Sequence, residues 1–131
     1  MTILVAADGA WIRDQVRAAL VGPGQTLIEV TRGQDVRASM QEHAPDLVIL
    51  DLQIANMGGI ATAIDLRLEA SAGRVPATKI LLLLDREHDR FLAKRADADA
   101  VLVKPFDPGT LRRAVKGLLD APDAVPSRSG P

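Results

Sequence analysis

Cysteine and tyrosine are both absent from the chain. Without a thiol there can be no disulfide framework, no thiolate metal site and no cysteine nucleophile, a composition compatible with a reducing cytoplasm. Aromatic residues are reduced to Trp11, Phe91 and Phe106, too few for the stacking platforms that hold bases or sugars. Neither sign of charge is in excess. The 16 Lys+Arg against 17 Asp+Glu leave a net charge of −1, so bulk attraction to nucleic acid or to an anionic membrane is lacking and any partner must find a local surface. Apolar runs fall well short of a membrane span, and Met1-Thr2-Ile3-Leu4-Val5-Ala6 carries no basic leader before it. At 131 residues the expectation is one domain with one core, working in the cytoplasm.

What the chain does have is a set of short aliphatic runs. Asp46-Leu47-Val48-Ile49-Leu50-Asp51 and Ile80-Leu81-Leu82-Leu83-Leu84 show no alternation, which suits strands buried on both faces of a parallel sheet. Thr2 to Ala6, Thr26 to Thr31 and Ala100 to Val103 are read as three further strands. Between them apolar residues recur at helical spacing: Ile12, Val16 and Leu20; Val36 and Met40; Ile60, Ile64 and Leu68; a short helix from about Glu87 to Ala96; and Leu111, Val115, Leu118 and Leu119. Gly22-Pro23-Gly24 and Ala44-Pro45 stop the first two helices. Asp107-Pro108 starts the last, with an acceptor at the N-cap and Pro at N1. From Asp120 onward the Pro- and Ser-rich residues cannot bury enough apolar surface to order themselves, so residues 1–119 are read as the domain and 120–131 as a disordered tail. Five strands alternating with five helices predict a doubly wound parallel sheet, flavodoxin-like, with strand order 2-1-3-4-5.

In such a sheet ligands bind outside the carboxyl ends of the strands, and the first and third strands are neighbours. Asp8 and Asp51 therefore converge on one crevice. Two facing carboxylates repel unless a cation lies between them, and a hard divalent ion such as Mg²⁺ removes the conflict. Lys104, after the last strand, brings a compact positive charge to the same rim. Two acids and a lysine around a metal describe a site for a phosphoryl group.

With Ile3-Leu4-Val5 leading to Asp8, the run Pro45 to Leu52 around Asp51, the loop Asn56-Met57-Gly58-Gly59, and Val103-Lys104-Pro105-Phe106, the chain resembles the receiver domain of two-component response regulators over nearly all of residues 2–119. The resemblance implies that Asp51 is the phosphoacceptor, served by a phosphohistidine of a sensor histidine kinase or phosphotransfer protein. It implies that Asp8, Asp51 and the backbone carbonyl of Gln53 hold Mg²⁺, that Lys104 contacts the phosphoryl oxygens, and that the Lys104-Pro105 peptide is cis. It also implies a signalling protein whose only chemistry is self-catalysed phosphotransfer and dephosphorylation; because 131 residues leave no room for a DNA-binding or enzymatic output domain, action on a downstream protein is expected, and not on nucleic acid or a membrane.

The family's pattern is not complete here. The first of its two adjacent acids is Ala7, and its loop Pro and Asp are Ala55 and Gly58. Its switch hydroxyl falls on Leu84 or Asp85, and its switch aromatic on Val101. Asp85 is read as a cap of the short fourth helix; turned inward, it would instead supply a second auxiliary acid for Mg²⁺. His43 and His88 lie on polar helix faces with no second ligand at metal spacing. Asp97 and Asp99 read as a turn, and Arg112, Arg113 and Lys116 as a solvated basic face. Trp11, just after Asp8, is equally suited to packing on its own chain or to a partner helix. A flavin site is set aside because Ala7-Asp8-Gly9-Ala10-Trp11 has no hydroxyl-rich phosphate cradle. Two functions follow: a stand-alone receiver phosphorylated at Asp51, or a pseudo-receiver that serves as an interaction module without phosphorylation.

Overall fold

The computed structural model describes residues 1–54 and 57–121. In chain order the elements are β1 (Thr2–Ala6), α1 (Ala10–Leu20), β2 (Thr26–Val30), α2 (Gly33–His43), β3 (Leu47–Asp51), α3 (Gly59–Ser71) and β4 (Lys79–Leu84). A 3₁₀ turn (Glu87–Asp89), α4 (Arg90–Arg95), β5 (Ala100–Val103) and α5 (Pro108–Asp120) complete it. All five strands are parallel in the order β2-β1-β3-β4-β5. This is the expected doubly wound sheet.

The aliphatic runs without alternation are buried on both faces because each face carries its own helices. Leu4, Val48, Leu50, Ile80, Leu82 and Leu84 pack with Val36 and Met40 of α2, Ala63 and Leu66 of α3, and Ala93 of α4. Ile3, Val5, Leu47, Ile49, Leu81 and Leu83 pack on the other face with Ile12 and Val16 of α1 and Leu111 and Val115 of α5. Each such fully buried aliphatic side chain contributes about 1.5–3 kcal/mol by its removal from water. The α5 N-terminus forms as its residues dictate, with Asp107 accepting from the Thr110 backbone N–H at 2.7 Å and Pro108 opening the helix.

Three expectations need correction. Of the α3 stripe Ile60, Ile64 and Leu68, only Ile60 packs, in part, against the core; Ile64 is 43% and Leu68 62% exposed, while Thr62, Ala63, Leu66 and Glu69 face inward. Thr62 can do so because its hydroxyl donates to the Gly58 carbonyl at 2.9 Å, and Glu69 because Arg74 neutralises it at 2.6 Å. The single helix expected from Glu87 to Ala96 is a 3₁₀ turn followed by the six residues of α4. The last helix runs through Asp120, one residue into the expected tail; that tail from residue 122 on, and Ala55 and Asn56 of the loop, lie outside the described residues.

Candidate functional site

Strand parity decides what faces the crevice beyond β3, β4 and β5. Side chains alternate across a sheet, and Leu47 and Ile49 lie on the face covered by α1 and α5, so Asp51 belongs to that face. Leu84 lies in the opposite core, with Val101 and Val103 packed against it. Leu84 therefore points away from Asp51, and the next residue, Asp85, points toward it. Lys104 shares the parity of Ala100 and Leu102, which pack on the α1/α5 side, and its backbone N–H donates to the Leu84 carbonyl at 2.8 Å. The register of β4 with β5, Leu84 opposite Val103, thus sets Asp85 beside Lys104.

The polar contacts follow from that placement. The Lys104 ammonium forms an ion pair with Oδ1 of Asp51 and donates to Oδ1 of Asp85 at 2.8 Å. Oδ2 of Asp85 accepts from the Gln53 side-chain amide at 3.0 Å. Asp85 is turned inward and caps no helix; the backbone N–H of Arg86 is instead accepted by Asp89, at 3.0 Å. Asp51 is 1% exposed, and its Oδ1 makes no hydrogen bond of ordinary geometry beside the ion pair. Burial pushes the Asp51 carboxyl above its usual range, against the pull of Lys104. For Lys104 burial works downward, but Asp51 and Asp85 together outweigh it and hold the ammonium above its usual value. Asp85 is held below its usual value, first by the hydrogen bond from Lys104. One ammonium therefore serves two carboxylates, one buried and one partly exposed.

Asp8 sits exposed on the loop after β1. Its backbone N–H donates to the Gln53 carbonyl at 2.8 Å, which ties the two loops together. Sequence reasoning missed two supports of this site, Arg13 and the Gln53 side chain. Arg13 donates to the carbonyls of Ala7 and Asp8, each at 2.8 Å, and so staples the loop to α1. The Gln53 side chain, and not only its carbonyl, takes part. Trp11, 59% exposed, lies under the Lys104 ammonium at 6.0 Å from the ring centre. Behind Asp51, Gly59 lets α3 approach closely: a Cβ there would fall 2.3 Å from the Asp51 carbonyl oxygen. The Lys104-Pro105 peptide is cis. Ala7 is buried against the α1/α5 core.

The donors available to a cation are all oxygens: the Asp8 and Asp51 carboxylates and the Gln53 carbonyl. That set fits a hard divalent ion such as Mg²⁺, which keeps several waters. Among the described residues no three acidic or histidine side chains are grouped closely enough to hold a metal, and both Asp85 oxygens already have donors. Also among the described residues, no helix is long and apolar enough to cross a membrane.

Residues 3–116 match the family model of the response regulator receiver domain. A response regulatory protein of Mycobacterium tuberculosis is 34% identical over 128 residues, covering 93% of this chain and 93% of that protein. Among solved structures, the chemotaxis response regulator CheY4 of Vibrio cholerae has a TM-score of 0.78 at 25% identity, covering 89% of this chain and 97% of that one. The receiver domain of the sensor histidine kinase PA1611 of Pseudomonas aeruginosa has a TM-score of 0.78 at 21% identity, over 92% of this chain and 98% of that one. That second likeness is one of fold, and the PA1611 structure has a magnesium ion coordinated in its active-site cleft.

Proposed function

The chain belongs to the response regulator receiver domain family, and from that membership and the site's geometry we propose a receiver that accepts a phosphoryl group on Asp51. The observation that carries the reading is the buried Asp51 carboxylate, ion-paired to Lys104 at the carboxyl end of the sheet. The donor is a phosphohistidine of a sensor histidine kinase or phosphotransfer protein. An Asp51 oxygen attacks phosphorus, an acyl phosphate bond forms, and the bond from phosphorus to the donor's leaving atom breaks with its electron pair. Such transfer asks the protein for in-line positioning and charge neutralisation rather than covalent work. Gly59 fixes the strand end that presents Asp51, and Lys104 reaches the phosphoryl oxygens. Asp8, Asp51 and the Gln53 carbonyl would hold Mg²⁺, which when bound neutralises charge developing on those oxygens.

Signalling then runs through contacts with a downstream protein, in the cytoplasm. The M. tuberculosis relative, covered over 93% of its own length, supports a receiver that acts by itself. A pseudo-receiver is the second reading, favoured by Ala7, buried where an auxiliary acid would stand. Intact-mass spectrometry after incubation with Mg²⁺ and acetyl phosphate separates the two. A single phosphate adduct that needs Mg²⁺ and is lost in Asp51→Asn supports the receiver; no adduct in a folded sample, with acetyl phosphate or with a phosphorylated histidine phosphotransfer domain, supports the interaction module.

A further inference from the structure

The residue that the family's known switch does not account for is Asp85. Its carboxylate bridges the Lys104 ammonium at 2.8 Å and the Gln53 amide at 3.0 Å, on the same face as Asp51. We propose that Asp85 is a positioning residue and a charge-operated latch: it holds Lys104 and Gln53 while Asp51 is free, and a phosphoryl group on Asp51 expels it. The proposal rests on the phosphoacceptor role given to Asp51 above.

The charges give the direction. Before transfer, Asp51 and Asp85 share one ammonium. A phosphoryl group brings a charge of about −1.5 to −2 and three strong acceptor oxygens, where Asp51 alone had brought a single negative charge. A divalent ion bound in both states alters both sums equally and leaves their difference. The phosphoryl oxygens compete with Asp85 for the Lys104 donors and repel its carboxylate, so the less anchored acid leaves. Asp51 is fixed at a strand end with a side chain 2% exposed, against 36% for Asp85. Asp85 lies on the short link to the 3₁₀ turn and the six residues of α4, elements too short to hold themselves by their own hydrogen bonds.

The family's hydroxyl would be drawn toward the phosphoryl group; Asp85 is driven away from it. The moving segment is the same, residues 85–95, but the force has the opposite sign. Gln53 loses its side-chain partner at the same moment. The change at β4 therefore also reaches the loop after β3.

Hydrogen–deuterium exchange tests this on the intact chain, with acetyl phosphate and Mg²⁺ as the probe and intact mass to count the adduct. The reporters are the amides of Arg86 and Asp89, which bond within the turn at 3.0 Å each. Phosphorylation of the wild type is expected to speed their exchange about tenfold. In Asp85→Asn, which keeps the shape and loses the charge, they should exchange at the raised rate before any donor is added and respond no further. Gln53→Ala should raise the starting rate partway. An adduct on the wild type with unchanged exchange overturns the latch and leaves the phosphoacceptor reading standing, as does an Asp85→Asn protein that exchanges like the wild type. Absence of any adduct in a folded sample, with acetyl phosphate and with a phosphorylated histidine phosphotransfer domain alike, overturns both.

Discussion

The crevice has two walls that differ in how they meet the demands of phosphoryl chemistry. The wall from β1 and β3 presents Asp8, Asp51 and the Gln53 carbonyl, and it rests on a close backbone approach at Gly59 and on the Arg13 staple. The wall from β4 and β5 presents Lys104 and Asp85, while the neighbouring Leu84 and Val101 face the opposite core. On the first wall a buried carboxylate is ion-paired to the Lys104 that reaches across from the second. On the second a polar network is already satisfied. The residues proposed to accept a group and to respond to it thus stand on different walls, joined by the Lys104–Asp51 ion pair and the Gln53–Asp85 hydrogen bond.

The largest effect should come from the residue that joins the walls. Lys104→Met removes the cation that faces the buried Asp51 carboxylate, and breaking such a pair is expected to cost about 3 kcal/mol at pH 7, the lower end for buried ion pairs because Asp51 can escape by taking a proton. Urea unfolding should show the deficit, and the double variant Asp51→Asn, Lys104→Met should recover most of it. Additive effects in that cycle would mean the two side chains do not interact, and the walls would be independent.

The second effect separates Leu84 from Asp85. Leu84 is fully buried on the far face, so Leu84→Thr loses packing and buries a hydroxyl, at about 2–3 kcal/mol. Asp85→Thr gives up bonds at a half-exposed position and should cost about 1 kcal/mol or less. If Leu84→Thr proved the milder in thermal or urea denaturation, Leu84 and not Asp85 would be the residue that faces the crevice.

How far the sequence discloses this molecule follows the same division. The strand order, and the placing of Asp8, Asp51 and Lys104 at one end of the sheet, come from runs and spacings that have a single packing solution. The inward turn of Asp85 does not, because a loop after a strand carries no periodicity; only the β4 to β5 register shows which of Leu84 and Asp85 shares a face with Asp51. On α3, Ile64 and Leu68 of the expected stripe point outward, since Thr62 and Glu69 bring their own hydrogen-bond and ion partners inward. Apolar spacing cannot reveal partners that lie elsewhere in the chain. Arg13 and the Gln53 side chain were missed for that reason.

The smallest effect probes the charge on the acceptor wall itself. Burial raises the folded pKa of Asp51 above its ordinary 3.8, so the folded protein holds that proton more tightly than the unfolded chain does. The contribution of this group therefore favours folding below the unfolded pKa and declines as pH rises through the raised folded value, leaving a net cost at neutral pH. Asp51→Asn removes that cost and leaves Lys104 bonded to Asp85, so the variant should exceed the wild type in stability at pH 7 by on the order of 1 kcal/mol. The gap should close as pH falls through the window above 3.8. Asp85 titrates in the opposite sense, but its lowered pKa withdraws stability only as pH falls below the ordinary 3.8, outside the range compared. Chemical denaturation of both proteins from pH 7 to pH 4 reads the result. A variant less stable than the wild type at pH 7 would mean that the Lys104 ion pair outweighs desolvation, and that the acceptor wall, like its neighbour, is held together by its charge.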